Sequence, residues 1–324
     1  MNILVTGGAG YIGSHTCKAL AAAGFMPVTF DNLRSGHRRA VKWGPLEEGD
    51  LADGARLAAV IAKYAPRGVI HFAASSAVGE SVADPGAYYR NNVAGSLTLL
   101  EAMRDHGVGA LVFSSTAAVY GAPQQDLMPE THPLLPINPY GASKLMIERM
   151  IEDFAAAHGL RFARLRYFNA AGADPEGEIG EAHEPETHAI PLALLTALGR
   201  RPHFDVFGVD YPTPDGSAVR DYIHVADLAA AHVLALRRLL DGGASMTLNL
   251  GTGEGHSVLA LVAAVERVTG KTLAVRRTAR RAGDPSRLVA DASAAMSELG
   301  WRPAMPGLEA IVATAWNWHR SRND

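Results

Sequence analysis

The first half of the chain alternates short apolar runs with longer segments of helical periodicity. The short runs are rich in β-branched and aromatic residues and are bounded by turn residues, which is typical of buried strands. Gly24, Gly107 and Gly159 follow three of the longer segments, where helices commonly end. The pattern predicts strands at 3–6, 28–30, 69–72, 110–114 and 162–166, and helices at 12–23, 54–64, 87–106 and 140–158.

This alternation predicts an α/β fold with a Rossmann-type, doubly wound parallel sheet, because right-handed crossovers place helices on both faces. The alternation stops in a Gly-, Pro- and acid-rich stretch at 173–191. We therefore expect one domain at 1–171 and a smaller C-terminal α/β substrate lobe at 172–324. A segment at about 226–250, with a helix and then a strand at 247–250, is expected to return to the first sheet.

Composition describes an ordinary globular protein. Of 324 residues, 48% are hydrophobic and 19% charged, and the formal charge of −3 provides no basic field for nucleic acid. The longest apolar segment, 189–198, contains Pro191 and has about half of the roughly 20 residues that a membrane span needs. The first residues enter a strand, so no secretory signal is expected. The single cysteine, Cys17, suits a reducing cytoplasm.

A glycine-rich loop joins the first predicted strand to the first predicted helix. In this context Gly7 suits a tight turn, Gly10 lets the backbone approach a pyrophosphate, and Gly13 allows close packing of helix on strand. Phosphates would then face the N-terminus of the helix. The loop at 7–13 therefore predicts a dinucleotide-binding site.

The choice of dinucleotide depends on Asp31, which ends the second predicted strand, 18 residues after Gly13. A carboxylate there accepts hydrogen bonds from both adenosine ribose hydroxyls and repels a 2′-phosphate, which favours NAD. Arg34, Arg38 and Arg39 follow closely and are able to hold a phosphate, so NADP stays open as an alternative.

Candidate catalytic groups lie behind the cofactor loop. Tyr140 and Lys144 are four residues apart at the start of a predicted helix and share one face. An ammonium about 4 Å from a phenol supplies roughly the 4 kcal/mol needed to lower the phenol pKa to neutrality. Tyr140 would then take a proton from a substrate hydroxyl while hydride leaves the same carbon. Thr116, at the end of a predicted strand, is placed to bond that hydroxyl.

Five motifs along the chain carry a resemblance to a known family. They are Thr6 to His15, Ala77 to Ser81, Tyr140 to Lys144, Arg166 to Asn169, and Asp215-Gly216 with Val219 to Val225. In these motifs the chain resembles the extended short-chain dehydrogenase/reductase family over essentially its whole length, and within that family it is most similar to enzymes that invert C4 of a UDP-hexose. The last motif is the most specific, since the glycine fingerprint and the Tyr-Lys pair occur across the superfamily.

The resemblance implies a tightly held NAD, a transient 4-keto sugar, interconversion of UDP-galactose and UDP-glucose, and a homodimer. It implies that Tyr140 is the base, Lys144 its activator and Thr116 the partner of the 4-hydroxyl. Implied cofactor contacts are Gly7, Gly10, Tyr11, Ile12, Gly13, Asp31, Asn32, Asp50, Leu51, Phe72, Ala73, Ala74, Asn91, Ser114, Tyr140, Lys144, Tyr167 and Phe168. Implied substrate contacts are Thr116, Tyr140, Asn169, His188, Val206, Phe207, Arg220, Tyr222, Arg281 and Asp284.

Three positions depart from the family pattern. Ser76 stands where many members have a lysine, and His188 where others have asparagine. Leu288 falls at a position that lines the sugar pocket, small in members that accept N-acetylated sugars and often tyrosine in those that do not. The sequence therefore leaves the N-acetyl question open.

Three other interpretations of the sequence are less well supported. A nucleotide-sugar dehydratase of this family carries acidic residues after the threonine, whereas this chain has Ala117 and Ala118, so elimination lacks its acid and base. A non-catalytic NAD-sensing regulator is the second alternative, and the retained Tyr140 and Lys144 argue against it. The third is a metal helix at 183–188, for which Pro185 and the spacing of the histidines are unsuitable, so no metal is expected.

Overall fold

The computed structural model describes residues 1–281 and 284–322. The strands are β1 (Asn2–Thr6), β2 (Met26–Asp31), β3 (Leu46–Glu48), β4 (Gly68–His71), β5 (Ala110–Thr116), β6 (Arg161–Tyr167), β7 (Asn169–Ala171), β8 (Phe204–Phe207), β9 (Val219–Arg220), β10 (Tyr222–His224), β11 (Met246–Leu250), β12 (His256–Ser257), β13 (Val275–Thr278) and β14 (Arg287–Leu288). The α-helices are α1 (Tyr11–Ala22), α2 (Gly54–Tyr64), α3 (Val78–Ala83), α4 (Pro85–Tyr88), α5 (Gly95–Asp105), α6 (Pro139–His158), α7 (Ala189–Ala197), α8 (Val225–Leu240), α9 (Val258–Thr269), α10 (Ser293–Leu299) and α11 (Leu308–Ser321).

Seven strands form the central sheet, in the order β3-β2-β1-β4-β5-β6-β11, with every neighbouring pair parallel. The first six follow the order of a doubly wound dinucleotide-binding sheet, so the predicted fold class is confirmed. The sequence interpretation missed β3. Its three residues, Leu-Glu-Glu, carry neither the apolar run nor the alternation that marks a strand.

Side chains of alternate residues cover the two faces of the sheet. Ile3 and Val5 enter a core beneath α1, α8 and α10, whereas Leu4 enters a second core beneath α2, α5 and α6. Because both faces are buried, the strands read as continuous apolar runs, which made them visible in the sequence.

One helix begins earlier than the pattern indicates. The segment predicted at 87–106 starts at Pro85 and passes through a π-helical segment, Tyr89–Ala94, into α5. Asp84 caps this start by accepting from the Ala87 backbone N–H at 3.0 Å, and Pro85 supplies a preset φ at the first position. The Asp84-Pro85 pair is a common start of a helix, so this earlier beginning could have been predicted from the sequence.

A third core lies in the C-terminal half, between α7, α9, α11 and the parallel pair β8 and β13. Two other late segments pack instead on the first core, namely α8 with β11 and the region from Ala292 to Trp301. The division of the chain into domains at residue 171 stays a prediction. None of the described helices has both the length and the apolar character needed to cross a membrane.

Candidate active site

The glycine loop forms a narrow cradle at the carboxyl end of the sheet. Gly7 has φ +72°, and a Cβ there would lie 2.6 Å from the Ala73 backbone nitrogen. A Cβ on Gly13 would lie 2.2 Å from the Gly7 carbonyl oxygen. No side chain caps the N-terminus of α1, and its first turn contains no acidic residue. The free backbone N–H groups and the space left by missing Cβ atoms fit a dinucleotide pyrophosphate.

Asp31 is held beside this cradle by backbone groups. One carboxylate oxygen accepts from the Ala9 N–H at 3.0 Å and the other from the Leu33 N–H at 2.8 Å. Burial raises the pKa of this carboxyl group, while the two backbone hydrogen bonds lower it. At the same edge, the Asn32 amide donates to Asp50 at 2.7 Å, and Leu51 is buried behind them. The predicted adenosine-side residues therefore lie together.

Two of the three arginines that kept NADP open have partners within the chain. Arg34 donates to the Ser75 hydroxyl at 2.8 Å, and Arg38 forms an ion pair with Glu48. Both guanidinium groups thus have acceptors within the chain, which together with the carboxylate of Asp31 fits NAD.

Helix α6 places the two candidate catalytic side chains. It begins at Pro139, after Asn138 caps it by accepting from the Gly141 N–H at 2.8 Å. Tyr140 therefore lies in the first turn and Lys144 one turn later. The Lys144 ammonium is buried and donates to the Ser114 carbonyl oxygen at 2.8 Å, near the end of β5.

Thr116 ends β5 and faces the Tyr140 hydroxyl. Its oxygen accepts from the Ala118 N–H at 3.1 Å, which leaves its own O–H to donate toward the phenol. The structure therefore brings Tyr140, Lys144 and Thr116 to the carboxyl end of one strand, beside the glycine cradle. Ligands of open α/β sheets bind at this edge.

Burial has the largest effect on the pKa values of Tyr140 and Lys144. It raises the pKa of Tyr140, against the Thr116 hydrogen bond that lowers it, and it lowers the pKa of Lys144 to about 7. The spacing had predicted that the Lys144 ammonium lowers the phenol pKa, whereas burial raises that pKa in this structure. The reason is that the pocket removes water from the phenolate and the ammonium alike.

Two histidines near the sheet have structural roles. His71 bonds Thr6 at 2.6 Å and Ser96 at 2.8 Å, and burial lowers its pKa to about 3, so it is neutral. His224 accepts from the Ala226 N–H at 3.1 Å and bonds Thr314 at 3.0 Å. Both imidazoles are satisfied within the fold.

Other predicted cofactor contacts surround the cradle and the end of β4. The backbone N–H groups of Phe72 and Ala73 both donate to the Thr6 carbonyl, next to Gly7. The hydroxyl of Tyr167 bonds that of Ser114 beside Lys144, whereas the Tyr11 hydroxyl donates to the Gly172 carbonyl at 2.6 Å. Ala74 follows Ala73 directly, and Ile12 and Phe168 are partly buried in neighbouring cores.

The sequence interpretation named Asn91 but missed its neighbour Asn92. Asn92 is fully buried and bonds the Ser75 backbone through both ends of its amide, at 2.8 and 3.0 Å. The same amide donates to the Ser143 hydroxyl on α6 at 3.1 Å, while Asn91 only donates to Asn92. Asn92 thus joins the segment after β4 to the helix of Tyr140, a role that no sequence signal marks.

The predicted substrate contacts fall into small groups. Arg220 forms an ion pair with Asp284, and Leu288 lies beside Arg220 in the pairing of β14 with β9. The Arg281 guanidinium lies 3.8 Å from the Phe207 ring centroid. Asn169 pairs with Tyr222 in the two-stranded sheet of β7 and β10, and Val206 is buried in β8. Two arginines are thus presented by the C-terminal half of the chain.

His188 lies in a different polar group. Its ligand atom and those of Glu181 and His183 lie within 4.8 Å of one another, an arrangement that the helical spacing argument could not foresee because the segment is a loop. His183 bonds Glu181, and His188 bonds Glu186 at 2.8 Å. Nearby carboxylates raise the pKa of both imidazoles, and the pKa of Glu181 is lowered by His183. Each imidazole of the group is thus paired with a carboxylate.

Comparison with known proteins gives consistent matches. Residues 3–251 match the model of the NAD dependent epimerase/dehydratase family. The chain is 56% identical over 322 residues to the UDP-glucose 4-epimerase of Rhizobium meliloti (strain 1021), covering 99% of this chain and 98% of the relative. It is similar to the crystal structure of UDP-glucose 4-epimerase from Brucella ovis in complex with NAD, at TM-score 0.96 and 52% identity over 97% of each chain. The Bifidobacterium longum enzyme in complex with NAD+ and UDP gives TM-score 0.95 at 38% identity over 99% of each chain.

Proposed function

The chain belongs to the NAD dependent epimerase/dehydratase family, and from that premise we propose that it epimerises C4 of a UDP-hexose, interconverting UDP-galactose and UDP-glucose. The observation that carries the proposal is the meeting of Tyr140, Lys144 and Thr116 at the end of β5, beside the glycine cradle. The high identity to a full-length UDP-glucose 4-epimerase supports it.

Tyr140, Thr116 and Lys144 have separate roles in the proposed reaction. NAD bound in the cradle would supply the hydride acceptor and donor for C4. Tyr140 takes the proton of the 4-hydroxyl and later returns it to the same oxygen, once hydride has reached the opposite face of the 4-keto carbon. Thr116 donates to the phenol oxygen, and Lys144, anchored on the Ser114 carbonyl, favours the phenolate when it is an ammonium.

The C-terminal half supplies cations for the nucleotide. We propose that Arg220 and Arg281 bind the diphosphate, for which guanidinium groups are well suited. Asp284 orients Arg220 through their ion pair, and the Phe207 ring supports Arg281. Asn169, Tyr222, Val206 and His188 complete the proposed set of substrate contacts.

The dehydratase alternative receives no support from the residues after Thr116. Ala117 and Ala118 stand where elimination needs an acid and a base, and Ala117 is buried. Formation of a 4-keto-6-deoxy sugar from any nucleotide hexose would contradict the proposed function.

The proposed function is tested by incubating purified protein with UDP-galactose, UDP-N-acetylgalactosamine and UDP-xylose, separately. We expect conversion of UDP-galactose to UDP-glucose without added cofactor. Acid-released nucleotide should be NAD rather than NADP. If protein that holds NAD converts none of the sugars, the regulator alternative is favoured. Turnover of UDP-N-acetylgalactosamine would show that a pocket with Leu288 accepts an N-acetylated sugar.

We also propose a homodimer formed through α5 and α6, which pack against each other and leave Leu97 and Met146 exposed. Met146→Glu is expected to convert a dimer to a monomer in sedimentation velocity, because a buried unpaired carboxylate disfavours association. Val275→Glu, at an exposed apolar position on β13, is the matched control and should leave the dimer intact. A monomeric native protein would contradict the proposal.

We propose a cytoplasmic location from the cysteine content. Cys17 is the chain's single cysteine and lies buried in the first core, where it forms no disulfide. The formal charge of −3 supports neither a nucleic-acid nor a membrane-surface partner.

A further inference from the structure

We propose that Glu148 is a positioning residue for the reaction: it fixes the catalytic helix α6 to the ends of β5 and β6 and places a fixed negative charge one turn beyond Lys144. The proposal rests on the proposed function, because it assumes the roles given above to Tyr140 and Lys144.

Glu148 connects three elements that carry site residues. It is on α6 and only 1% exposed. One carboxylate oxygen accepts from the Ser115 hydroxyl at 2.5 Å and from Arg166 Nε at 2.9 Å, and the other accepts from the second guanidinium arm. Ser115 immediately precedes Thr116 in β5, and Arg166 immediately precedes Tyr167 in β6. The carboxylate therefore fixes the position of α6 relative to the carboxyl ends of β5 and β6.

Arg166 anchors this link to the rest of the protein. It is 3% exposed, and it donates to the Tyr120 hydroxyl at 3.1 Å. Tyr120 donates in turn to the Asn249 side chain at 2.6 Å, on β11. The Asn249 backbone N–H donates to Glu130 at 2.7 Å. A buried network with each member bonded holds its geometry firmly, because any lost partner leaves an unsatisfied polar group.

The carboxylate also acts on Lys144 through space. Burial lowers the pKa of Lys144, and the charge of Glu148 raises it, which brings it to about 7. Residues i and i+4 are neighbours on a helix, so the two charged groups share one face. Without Glu148, burial would act unopposed and the ammonium would lose its proton at lower pH.

Other titratable groups face this pair from each packed element. His71 on β4 is kept neutral by burial, and the charge of Lys144 lowers its pKa further. From β6, Tyr167 has a pKa raised by burial, as does Tyr140 from α6 itself. On the α4 side, the Tyr88 ring contacts that of Tyr140, and its hydroxyl donates to Glu80 of α3 at 2.9 Å. Arg164 of β6 donates to the Glu148 backbone carbonyl at 3.3 Å, and its guanidinium lies 3.9 Å from the Glu148 carboxylate. Of these groups, Glu148 is the anion that acts on Lys144.

The decisive variant is Glu148→Gln, which keeps the shape and the acceptor oxygen but removes the charge. We expect kcat for UDP-galactose to fall about 10- to 100-fold, since small displacements of reacting groups have effects of this size. The alkaline limb of the kcat profile, where the ammonium is lost, should move to lower pH by about one unit. KM should change less than about twofold, because Glu148 contacts no proposed substrate residue directly.

Asp153→Asn is the matched control, because Asp153 also lies on α6 and the change also removes one carboxylate charge, but the side chain is exposed. It should keep the native rate and pH profile. Glu148→Gln/Arg166→Gln removes the unpaired buried charge that threatens folding of the single variant, and the same acid-ward shift is expected. A native alkaline limb in both Glu148 variants would overturn the proposal, even if their stability falls.

This experiment separates the inference from the proposed function. If the native protein epimerises UDP-galactose and the Glu148 variants show unshifted profiles, the positioning role is wrong and the proposed function stands. If the native protein does not epimerise any of the sugars, the proposed function fails first. The bound NAD content of each variant, measured after denaturation, shows whether a rate change reflects lost cofactor.

Discussion

Replacement of Tyr140 by phenylalanine is expected to lower kcat for UDP-galactose by about 10²- to 10⁴-fold, the usual contribution of a positioned acid-base group. Phenylalanine keeps the ring and its edge-to-face contact with Tyr88, at a centroid distance of 6.5 Å, so the pocket should keep its shape. The change removes only the oxygen that Thr116 faces. Because Tyr140 is also a proposed contact of substrate and cofactor, KM and bound NAD should change modestly, and most of the loss should fall on kcat.

The measurement is steady-state conversion of UDP-galactose, with NAD content and melting temperature recorded for each protein. Tyr64→Phe is the matched control, since its hydroxyl donates to Glu47 at the far end of α2 and the same atom is removed. That variant should turn over at the native rate. Native kcat in Tyr140→Phe would show that another group moves the proton, and it would contradict the mechanism proposed here.

Gly13→Ala is expected to yield protein without bound NAD and with a markedly lower melting temperature. The added Cβ would lie 2.2 Å from the Gly7 carbonyl oxygen and 2.9 Å from the Gly8 Cα, and these atoms are backbone that no side-chain rotation relieves. The loop and the first turn of α1 must separate. Overpacking of this kind costs about 1–3 kcal/mol of stability, and the same movement distorts the phosphate cradle.

Cofactor content is read from the nucleotide released on denaturation, and stability from thermal unfolding. Gly109→Ala is the control, because nothing lies within 4 Å of a Cβ at that position and its φ is not left-handed. It should retain native NAD and stability. If Gly13→Ala purified with a full complement of NAD, the loop would not be the pyrophosphate cradle.

The fold was largely predictable where burial produces a regular pattern of apolar residues in the sequence. Strands buried on both faces, such as β1 and β5, read as unbroken apolar runs. The short strands of the C-terminal half, such as β9 and β12, have two residues each and lack any period. Their positions depend on partners distant in sequence, as when His256 pairs with Arg220.

The site was predictable in its residue types but not in its energetics. Motif spacing placed Tyr140 and Lys144 on one helical face, yet burial reverses the expected direction of the phenol pKa. Desolvation depends on the whole surrounding pocket, which no local pattern reports. Glu148 and Arg166 were equally invisible as a pair, because they lie 18 positions apart on different elements and meet only after the sheet has formed.

The position of β11 late in the sequence has a consequence for folding during synthesis. Its five residues complete the edge of the central sheet beside β6, and Trp301 is buried in the core on the same face. The ribosome must therefore release the chain as far as Leu250 before β11 can cover the edge of β6, and as far as Trp301 before the core on this face is complete. Until β11 is released the edge of β6 is unpaired, and an unpaired edge favours association with other chains.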